Sequence, residues 1–308
     1  MNLLELKRAT ARIQPNHSIL IYSQPKMGKT RLAGTAAKIK ELNKIYWIDI
    51  ENGSETLLNM GLTDEELSKI ILIKIADTRD SPIAIETILK TFTSKVPLKI
   101  CELHGKIDCA ECVKAGNSFY SWHLEQCTHN DLVVVDSGSQ LGDSAMAAAC
   151  LGKPHMFKPT FDEYGMVNKW LGDVCSVIQQ CKNTNFVVLT HEIALEDDEG
   201  KDKLFPLMGS KPFSMRCAKF FGTVVYLHKK MNKHTGGSSS TYRADVLTGS
   251  RIGVAIENSK EPLMRDILIE GGILRSPNTE TEVPQEPTEP VVKPQLSALD
   301  RLKATKKV

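Results

Sequence analysis

Residues 23–30, Ser-Gln-Pro-Lys-Met-Gly-Lys-Thr, are the stretch that decides the fold. They match the phosphate-binding pattern Gly-x4-Gly-Lys-Ser/Thr, except that Ser23 stands where the first glycine belongs. An apolar run at 19–22, Ile-Leu-Ile-Tyr, precedes them, and helix-favouring residues follow from Arg31. A strand, a loop and a helix in this order point backbone N–H groups and a helix N-terminus at phosphate. The sequence therefore predicts a site for ATP or GTP rather than a chance Gly-Lys-Thr in a surface turn.

Each residue of this loop has an expected role. Lys29 should reach the β- and γ-phosphates as part of the catalytic apparatus, and Thr30 should bind Mg²⁺. Gly28 should let the backbone approach the phosphates because it has no Cβ. The predicted nucleotide-binding residues are Ser23, Gln24, Pro25, Lys26, Met27, Gly28, Lys29, Thr30 and Arg31.

The composition is that of a globular protein without an extreme charge. Of the 308 residues, 41% are hydrophobic, and the formal net charge is +2, so any nucleic-acid surface must be a local patch. No stretch approaches the roughly 18 apolar residues of a membrane span, and the first residues lack the apolar core of a signal peptide. These features predict a cytoplasmic protein without membrane contact, whose cysteines are thiols or metal ligands rather than disulfides.

Apolar runs alternate with helical segments along residues 1–275. The strand-like runs are 19–22, 45–49, 70–75, 132–135 and 186–190. Such alternation predicts one α/β domain built on a mostly parallel sheet. A capping box at 160–163 and an apolar stripe predict a helix over about 161–181. Two β-rich runs within 223–247 predict a hairpin with a mobile tip.

Residues 276–308 differ from the rest of the chain in composition. They are rich in Pro, Glu and Thr, which predicts a disordered tail. Within it, Leu296–Lys307 could form a short basic amphipathic helix, but a helix of this length is marginal alone. The tail would therefore matter where a partner docks it.

Two further apolar strands end in carboxylates. The run Leu-Val-Val-Val at 132–135 leads into Asp136 and Ser137, and an aspartate at the end of a strand can bind Mg²⁺ beside Thr30. Asp49 and Glu51 end the second strand, and an acidic residue there could orient the water that attacks the γ-phosphate. A solvent-facing turn is the alternative for these two residues.

These motifs resemble the RecA-type recombinase ATPases. Asp-x-Glu after the second strand, Asp-Ser after the third and the segment Ala-Lys-Phe-Phe-Gly-Thr-Val at 218–224 have counterparts there. The resemblance implies a RecA-like ATPase fold in which Glu51 is the catalytic base and Asp136 is the Walker-B aspartate. RecA carries a glutamine where His191 stands. His191 could sense the γ-phosphate as a catalytic residue, and a histidine that only caps a strand end is the alternative.

A closer resemblance is to phage-encoded, AAA-family P-loop ATPases of the RecA-like single-strand-annealing group. The shared patterns are Pro-Lys-x-Gly-Lys-Thr at 25–30, Val-Val-Asp-Ser at 134–137, Tyr-Gly-x2-Asn at 164–168, Leu-Thr-His-Glu at 189–192 and Gly-Ser-Lys at 209–211. The resemblance spans about residues 15–230 and implies a Mg²⁺-dependent ATPase that binds or anneals single-stranded DNA in phage recombination or replication. A homo-oligomer in the host cytoplasm is then expected, with a phage replication or single-strand-binding protein as partner of the tail.

The segment 97–130 contains four potential metal ligands within a stretch of a dozen residues. The pattern is Cys101-x2-His104-x4-Cys109-x2-Cys112. Tetrahedral zinc takes four N or S ligands, so the pattern predicts a structural zinc knuckle inserted before the Walker-B strand. The two halves are closely spaced, so Cys127 or His129 could take the place of His104. Reduced cysteines in a polar loop are the alternative.

DNA contacts in RecA-type folds come from the loops after strands three and four, here about 138–160 and 193–217. The second loop begins with the acidic stretch 196–199, which repels phosphate, and later offers the predicted DNA-binding residues Lys211 and Lys219. No aromatic residue alternates with the basic ones to stack bases. A nucleotide-dependent switch or scaffold that acts through a protein partner is therefore the alternative function.

Overall fold

The computed structural model describes residues 17–196, 200, 202–231, 240–246 and 263–268. The tip of the predicted hairpin and the predicted tail, 276–308, lie outside these residues. Among the described residues, no helix is long and apolar enough to cross a membrane.

The five predicted strands and the predicted long helix are all present. The strands are β1 (Ser18–Ser23), β2 (Lys44–Asp49), β3 (Ile70–Lys74), β4 (Leu98–Cys101), β5 (Phe119–Trp122), β6 (Asp131–Asp136), β7 (Asn185–Glu196), β8 (Asp202–Pro206), β9 (Thr223–Met231) and β10 (Ser240–Val246). The helices are α1 (Lys29–Gly34), α2 (Glu55–Leu58), α3 (Asp64–Ser68), α4 (Ala84–Thr93), α5 (Ala110–Ala115), α6 (Gly138–Ala149), α7 (Phe161–Gln180), α8 (Lys211–Ser214) and α9 (Met264–Leu268).

Eight strands of the described chain form one sheet, in the order β10-β9-β1-β7-β6-β2-β3, with β8 paired to β7. All neighbours from β9 to β3 are parallel, whereas β10 is antiparallel to β9 and β8 is antiparallel to β7. The predicted α/β fold with a mostly parallel sheet is therefore confirmed, as is the hairpin, formed by β9 and β10. The loops expected at about 138–160 and 193–217 are partly regular, because α6 covers Gly138–Ala149 and β7 continues to Glu196, where its far half pairs with β8.

The central strands are apolar on both faces because helices cover the sheet on both sides. Leu20 of β1, Val133 of β6 and Val188 of β7 face the cluster that includes α4, α6 and α7. Their neighbours in sequence, such as Ile21 and Val134, face the cluster that includes α1 and α9. The long helix α7 begins at a capping box, as the sequence predicts. The side chains of Thr160 and Glu163 each accept a hydrogen bond from the other residue's backbone N–H.

Strand register brings the carboxyl ends of four strands to one edge. Ser23 at the end of β1 pairs with His191 of β7, and Asp136 of β6 pairs with Leu189 of β7 and Asp49 of β2. Strand β7 lies between β1 and β6. In parallel α/β sheets this edge is where ligands bind, so the fold gathers the predicted nucleotide residues there.

The segment between α4 and β6 forms a separate small element. Strands β4 and β5 pair antiparallel outside the main sheet, and α5 lies between them in sequence. Cys101, Cys109 and Cys112 form a small buried cluster of their own, against which Phe119 packs. This hairpin lies outside the main sheet, although Ile100, Trp122 and Leu124 belong to the main core.

Candidate functional site

The loop after β1 has the backbone of a phosphate cradle. Ser23 is buried at the end of the strand, and helix α1 begins at Lys29. Gly28, which precedes the helix, has φ 89°, a left-handed conformation that glycine adopts at little cost. Gln24, Pro25 and Lys26 are exposed, as is Arg31, and Met27 is half-buried, so these residues form the open rim of the cradle.

Lys29 is buried and points back across the loop. Its Nζ atom lies 3.4 Å from Ser23 Oγ, 3.3 Å from the Gln24 carbonyl oxygen and 3.2 Å from His191 Nδ1. Burial lowers the pKa of Lys29, while the nearby carboxylates of Glu51 and Asp136 raise it. The serine that replaces the usual glycine thus has a role in this arrangement, because its hydroxyl is a partner of the lysine.

Thr30 and Asp136, the two residues predicted to bind magnesium, lie in contact. Thr30 Oγ1, in the first turn of α1, donates over 3.0 Å to Oδ2 of Asp136, the last residue of β6. Burial, and then the charges of Asp49 and Glu51, raise the pKa of Asp136 to about 7. A Cβ on Gly53 would lie 3.4 Å from Asp136 Oδ2 and 3.6 Å from Thr30 Oγ1, so this glycine leaves space beside both oxygens. Oxygen donors and crowded carboxylates fit a divalent cation.

The two carboxylates after β2 have different surroundings. Asp49 is fully buried, and its two oxygens accept from the backbone N–H groups of Gly53 at 3.0 Å and Ser54 at 3.1 Å. Glu51 reaches the open side of the edge, where its Oε1 lies 2.8 Å from His191 Nε2. The hydrogen bond to His191 is the main reason that the pKa of Glu51 is lowered. Asp49 therefore shapes the loop, and Glu51 is available to a substrate.

His191 connects Lys29 to Glu51. Since Lys29 is a donor and the Glu51 carboxylate is an acceptor, we assign the tautomer in which Nδ1 accepts and Nε2 donates. The backbone N–H of His191 donates to Ser139 Oγ over 2.8 Å, and Ser139 Oγ donates to the Leu207 carbonyl oxygen over 2.8 Å. Ser139 and Gly53 were missed by the sequence reasoning, because neither belongs to the motifs that located their neighbours.

The four predicted metal ligands lie together. Cys101 ends β4, Cys109 precedes α5, and Cys112 lies within that helix. The Nδ1 atom of His104 is 3.9, 3.6 and 3.4 Å from the sulfur atoms of Cys101, Cys109 and Cys112, in that order. All four ligand atoms lie within 4.8 Å of one another. A hydrogen bond from the backbone N–H of Cys112, and then one with the His104 ring, lower the pKa of the Cys109 thiol to about 7.

The open question about the fourth ligand is answered by packing. Within the described residues, neither Cys127 nor His129 belongs to the cluster. Cys127 is buried in the main core, where burial raises the pKa of its thiol to about 12. His104 therefore completes the group.

The predicted DNA-binding lysines lie on and beyond α8. Lys211 is exposed and lines a groove of about 520 Å³ between α7 and α8. The groove also contains Phe161, whose exposed fraction is 95%, and Tyr164, at 41%. Lys219 is exposed, with its ammonium 4.9 Å from the centre of the Phe220 ring. The expectation that no aromatic residue alternates with the basic ones concerns neighbours in sequence, whereas the fold brings aromatic residues of α7 beside Lys211, some fifty positions later.

A protein-family model described as an AAA domain matches residues 15–245, about three quarters of the chain. Among solved structures, the RadB recombinase matches with a TM-score of 0.38 and 15% identity, over 75% of this chain and 88% of that one. An ATPase of the type III secretion system of pathogenic bacteria matches with a TM-score of 0.39 and 17% identity, over 70% and 52%. The flagellar accessory protein FlaH from Methanocaldococcus jannaschii matches with a TM-score of 0.40 and 11% identity, over 83% and 88%. No curated protein matches the sequence.

Proposed function

Because the chain belongs to the AAA domain family and is a P-loop NTPase, we propose that it hydrolyses ATP with Mg²⁺ and couples this cycle to the binding and annealing of single-stranded DNA. The observation that carries the proposal is the convergence of three pairs of groups at one sheet edge. Lys29 meets His191, Thr30 meets Asp136, and Glu51 meets His191.

Thr30 and Asp136 would hold the magnesium ion, in the space that Gly53 leaves beside them. When bound, Mg²⁺ neutralises charge on the phosphates and on the leaving group. The raised pKa of Asp136 follows from a buried carboxylate that faces two others, and a cation at this position would offset their repulsion. The pair therefore fits the ion by both donor type and charge.

Glu51 would act as the base that orients and deprotonates the attacking water. Its lowered pKa keeps the carboxylate ionised, which is the form that accepts a proton. Asp49 is less suited to this task, because both of its oxygens already accept from backbone N–H groups. Of the two carboxylates after β2, Glu51 is therefore the base, since it has the longer side chain and lies at the open edge of the site.

Lys29 and His191 would exchange partners when nucleotide binds. The lysine ammonium now lies beside His191 Nδ1, the nitrogen that we assign as an acceptor, and a phosphate oxygen is the stronger acceptor for a charged donor. Transfer of Lys29 to phosphate would free His191 Nδ1, while Nε2 keeps its bond to Glu51. His191 would then report the presence of nucleotide to the base and to its own backbone.

The backbone of His191 leads towards the aromatic groove. Leu207 N donates to the His191 carbonyl oxygen over 2.7 Å, which ties the two arms of the β7–β8 hairpin at the site. The next residue, Met208, donates to Ser214 Oγ over 3.0 Å, and Ser210 Oγ donates to Asn168 Oδ1 over 2.7 Å. A change at His191 would therefore move the segment that carries Lys211.

The groove has the chemistry of a single-strand binding surface. Exposed rings such as Phe161 and Tyr164 can stack on bases, each stack contributing about 1–3 kcal/mol, and Lys211 can pair with phosphate. Stacking does not require a particular base, which suits annealing of varied sequences. A single strand with splayed bases is thus the ligand that the groove fits.

The test is binding of a fluorescent single-stranded oligonucleotide, measured by anisotropy across a salt series with and without ATP and Mg²⁺. We expect Lys211→Glu and Phe161→Ala each to weaken binding by roughly tenfold or more. Lys211→Glu should also reduce the salt dependence, whereas Phe161→Ala should leave it unchanged, since only the lysine releases counterions. Lys219→Glu should have a smaller effect.

Lys40→Glu is the matched control. It makes the same charge change at an exposed position just before β2, at the opposite edge of the sheet. Equal losses in Lys40→Glu and Lys211→Glu would contradict the groove as the site. ATP-dependent capture of a protein, with no binding of single strands at low salt, would instead establish the alternative of a nucleotide-dependent switch or scaffold.

The proposed setting rests on the resemblance to the phage annealing group. The chain would act in recombination or replication of a phage genome, as a homo-oligomer in the host cytoplasm. The tail, 276–308, would contact a phage replication or single-strand-binding protein. The Cys/His cluster would hold structural zinc and take no part in the reaction.

A further inference from the structure

We propose that Cys101, His104, Cys109 and Cys112 bind one zinc ion whose task is to fix the end of β3, so that the inserted element acts as a metal-dependent brace on the main sheet. The ligand geometry supports the first part. Zinc with bonds of about 2.3 Å to sulfur and about 2.0–2.1 Å to nitrogen places those atoms about 3.6 Å apart in a tetrahedron. The three N···S distances, from 3.4 to 3.9 Å, bracket that separation.

Most of the cluster is enclosed by protein, since only His104 is half-buried. The three cysteines are buried, and the Asn117 side chain donates to Cys112 Sγ over 3.5 Å. Backbone bonds hold the ligand loop, with Gly105 N donating to the Cys101 carbonyl oxygen over 2.9 Å and Cys101 N donating to that of Lys106 over 3.0 Å. Four protein ligands leave no position for a substrate, so the ion is structural.

The ligand loop presses directly on the end of β3. Ala76 N donates to the His104 carbonyl oxygen over 2.9 Å, and Thr87 Oγ1 of α4 donates to that of Gly105 over 3.0 Å. Gly105 has φ 70°, and a Cβ there would lie 2.3 Å from the Lys74 carbonyl oxygen. The residue next to a metal ligand is thus in backbone contact with the main sheet.

From this contact, hydrogen bonds continue towards the nucleotide edge, the edge of the sheet at which Ser23, Asp49, Asp136 and His191 meet. Asp77, the residue after Ala76, accepts from Ala84 N of α4 and from Ser144 Oγ of α6, both over 2.8 Å. Helix α6 begins directly after Asp136 and Ser137. Metal in the cluster would therefore hold the loop 75–80 and, through Asp77, the helix behind the magnesium pair.

The first measurement is the metal content of protein purified without chelator, by elemental analysis. We expect about one zinc ion per chain, because four ligands hold one ion. A cobalt-substituted sample should show thiolate-to-cobalt charge-transfer absorption. Cys112→Ser should lose the ion, whereas His104→Cys, which keeps four ligands, should retain it. Cys181→Ser, a half-buried cysteine outside the cluster, is the matched thiol control. No metal in the wild-type protein would overturn the proposal.

The second measurement tests the brace by amide hydrogen exchange on the wild-type protein before and after zinc is removed by a chelator. We expect faster exchange in 98–116 and also in 75–80, with 165–180 of α7 unchanged. Faster exchange confined to 98–116 would show a metal site without a brace and would overturn the second part. The wild-type chain is used, so a variant that fails to fold does not affect the result. Neither readout depends on ATP or DNA.

Discussion

The nucleotide edge and the Cys/His cluster are assembled in opposite ways. At the edge, Lys29 meets His191 and Thr30 meets Asp136, pairs separated by 162 and 106 positions. In the cluster, Cys101 and Cys112 are joined by one short segment with a single helix. Strand register creates the first site, and a local loop creates the second.

This difference predicts how each region responds to damage. The nucleotide edge is supported by a buried sheet, so changing one polar side chain should alter chemistry and leave the fold in place. The three cysteines form a small cluster with only Phe119 packed against it, so the order of this loop should depend on the proposed zinc ion. The variants below test these expectations, from the largest expected effect to the smallest.

Lys29→Ala should abolish productive nucleotide binding and reduce ATP turnover to background, because it removes the buried cation that would bind the phosphates. Thr30→Ala should weaken only the Mg²⁺-dependent part. Isothermal titration with ATP and phosphate-release assays measure both. Zinc content should be normal in each variant, and unchanged turnover in Lys29→Ala would refute the site.

Glu51→Gln should bind ATP yet turn it over roughly 10²–10⁴-fold more slowly, since the amide keeps the shape but cannot accept the proton. Asp49→Asn is the paired variant. It should lower stability by about 1–3 kcal/mol, because one of its two backbone partners loses an acceptor, with a smaller effect on turnover. A fast Glu51→Gln enzyme beside an inactive Asp49→Asn one would reverse the two roles.

Two glycine-to-alanine substitutions compare the regions directly. Gly53→Ala adds a methyl group beside Asp136 and Thr30 at ordinary contact distance, so the fold should persist while the Mg²⁺ needed for half-maximal turnover rises roughly tenfold. Gly105→Ala places a methyl group 2.3 Å from a backbone oxygen, in a left-handed conformation, and should destabilise the junction by about 1–3 kcal/mol.

Magnesium titration of turnover and thermal unfolding distinguish the two glycine variants. Equal melting temperatures for the wild type and Gly105→Ala would contradict the packing of the cluster on β3. Unchanged magnesium dependence in Gly53→Ala would place the cation elsewhere.

Glu163→Gln tests the stability of the start of α7, which belongs neither to the nucleotide edge nor to the Cys/His cluster. The Lys153 ammonium, and then the Thr160 hydroxyl and N–H, lower the pKa of Glu163 to about 2 from an ordinary 4.5. A lowered pKa stabilises the folded state above the ordinary value, and this stability is lost as pH falls from 4.5 towards 2. The variant should therefore melt about 2–4 °C lower at pH 7, and the difference should vanish near pH 2. A difference that is constant with pH would exclude the ionised carboxylate as its cause.

Most of the fold was predictable because its signals are local. Apolar runs bounded by polar turns identified β1, β2, β3, β6 and β7, and the capping box identified the start of α7. The extension of β7 to pair with β8 was not predictable, since a short apolar stretch between two glutamates, as at 192–196, fits the arm of a hairpin or a loop equally well. The aromatic groove was missed for a related reason, because Phe161 and Lys211 become neighbours only when α7 packs beside α8.

The sequence by itself determined the phosphate loop and the spacing of the four metal ligands, because each is a short segment whose chemistry depends on neighbouring residues. Tertiary structure decided which carboxylate serves which purpose. Asp49 and Glu51 are only two positions apart, yet Asp49 accepts from backbone N–H groups and Glu51 contacts His191. This difference arises only in the folded sheet, where β6 lies between β2, which precedes Glu51, and β7, which carries His191. It also decided that Gly105 contacts β3, since contact between backbones distant in sequence depends on packing and not on residue type.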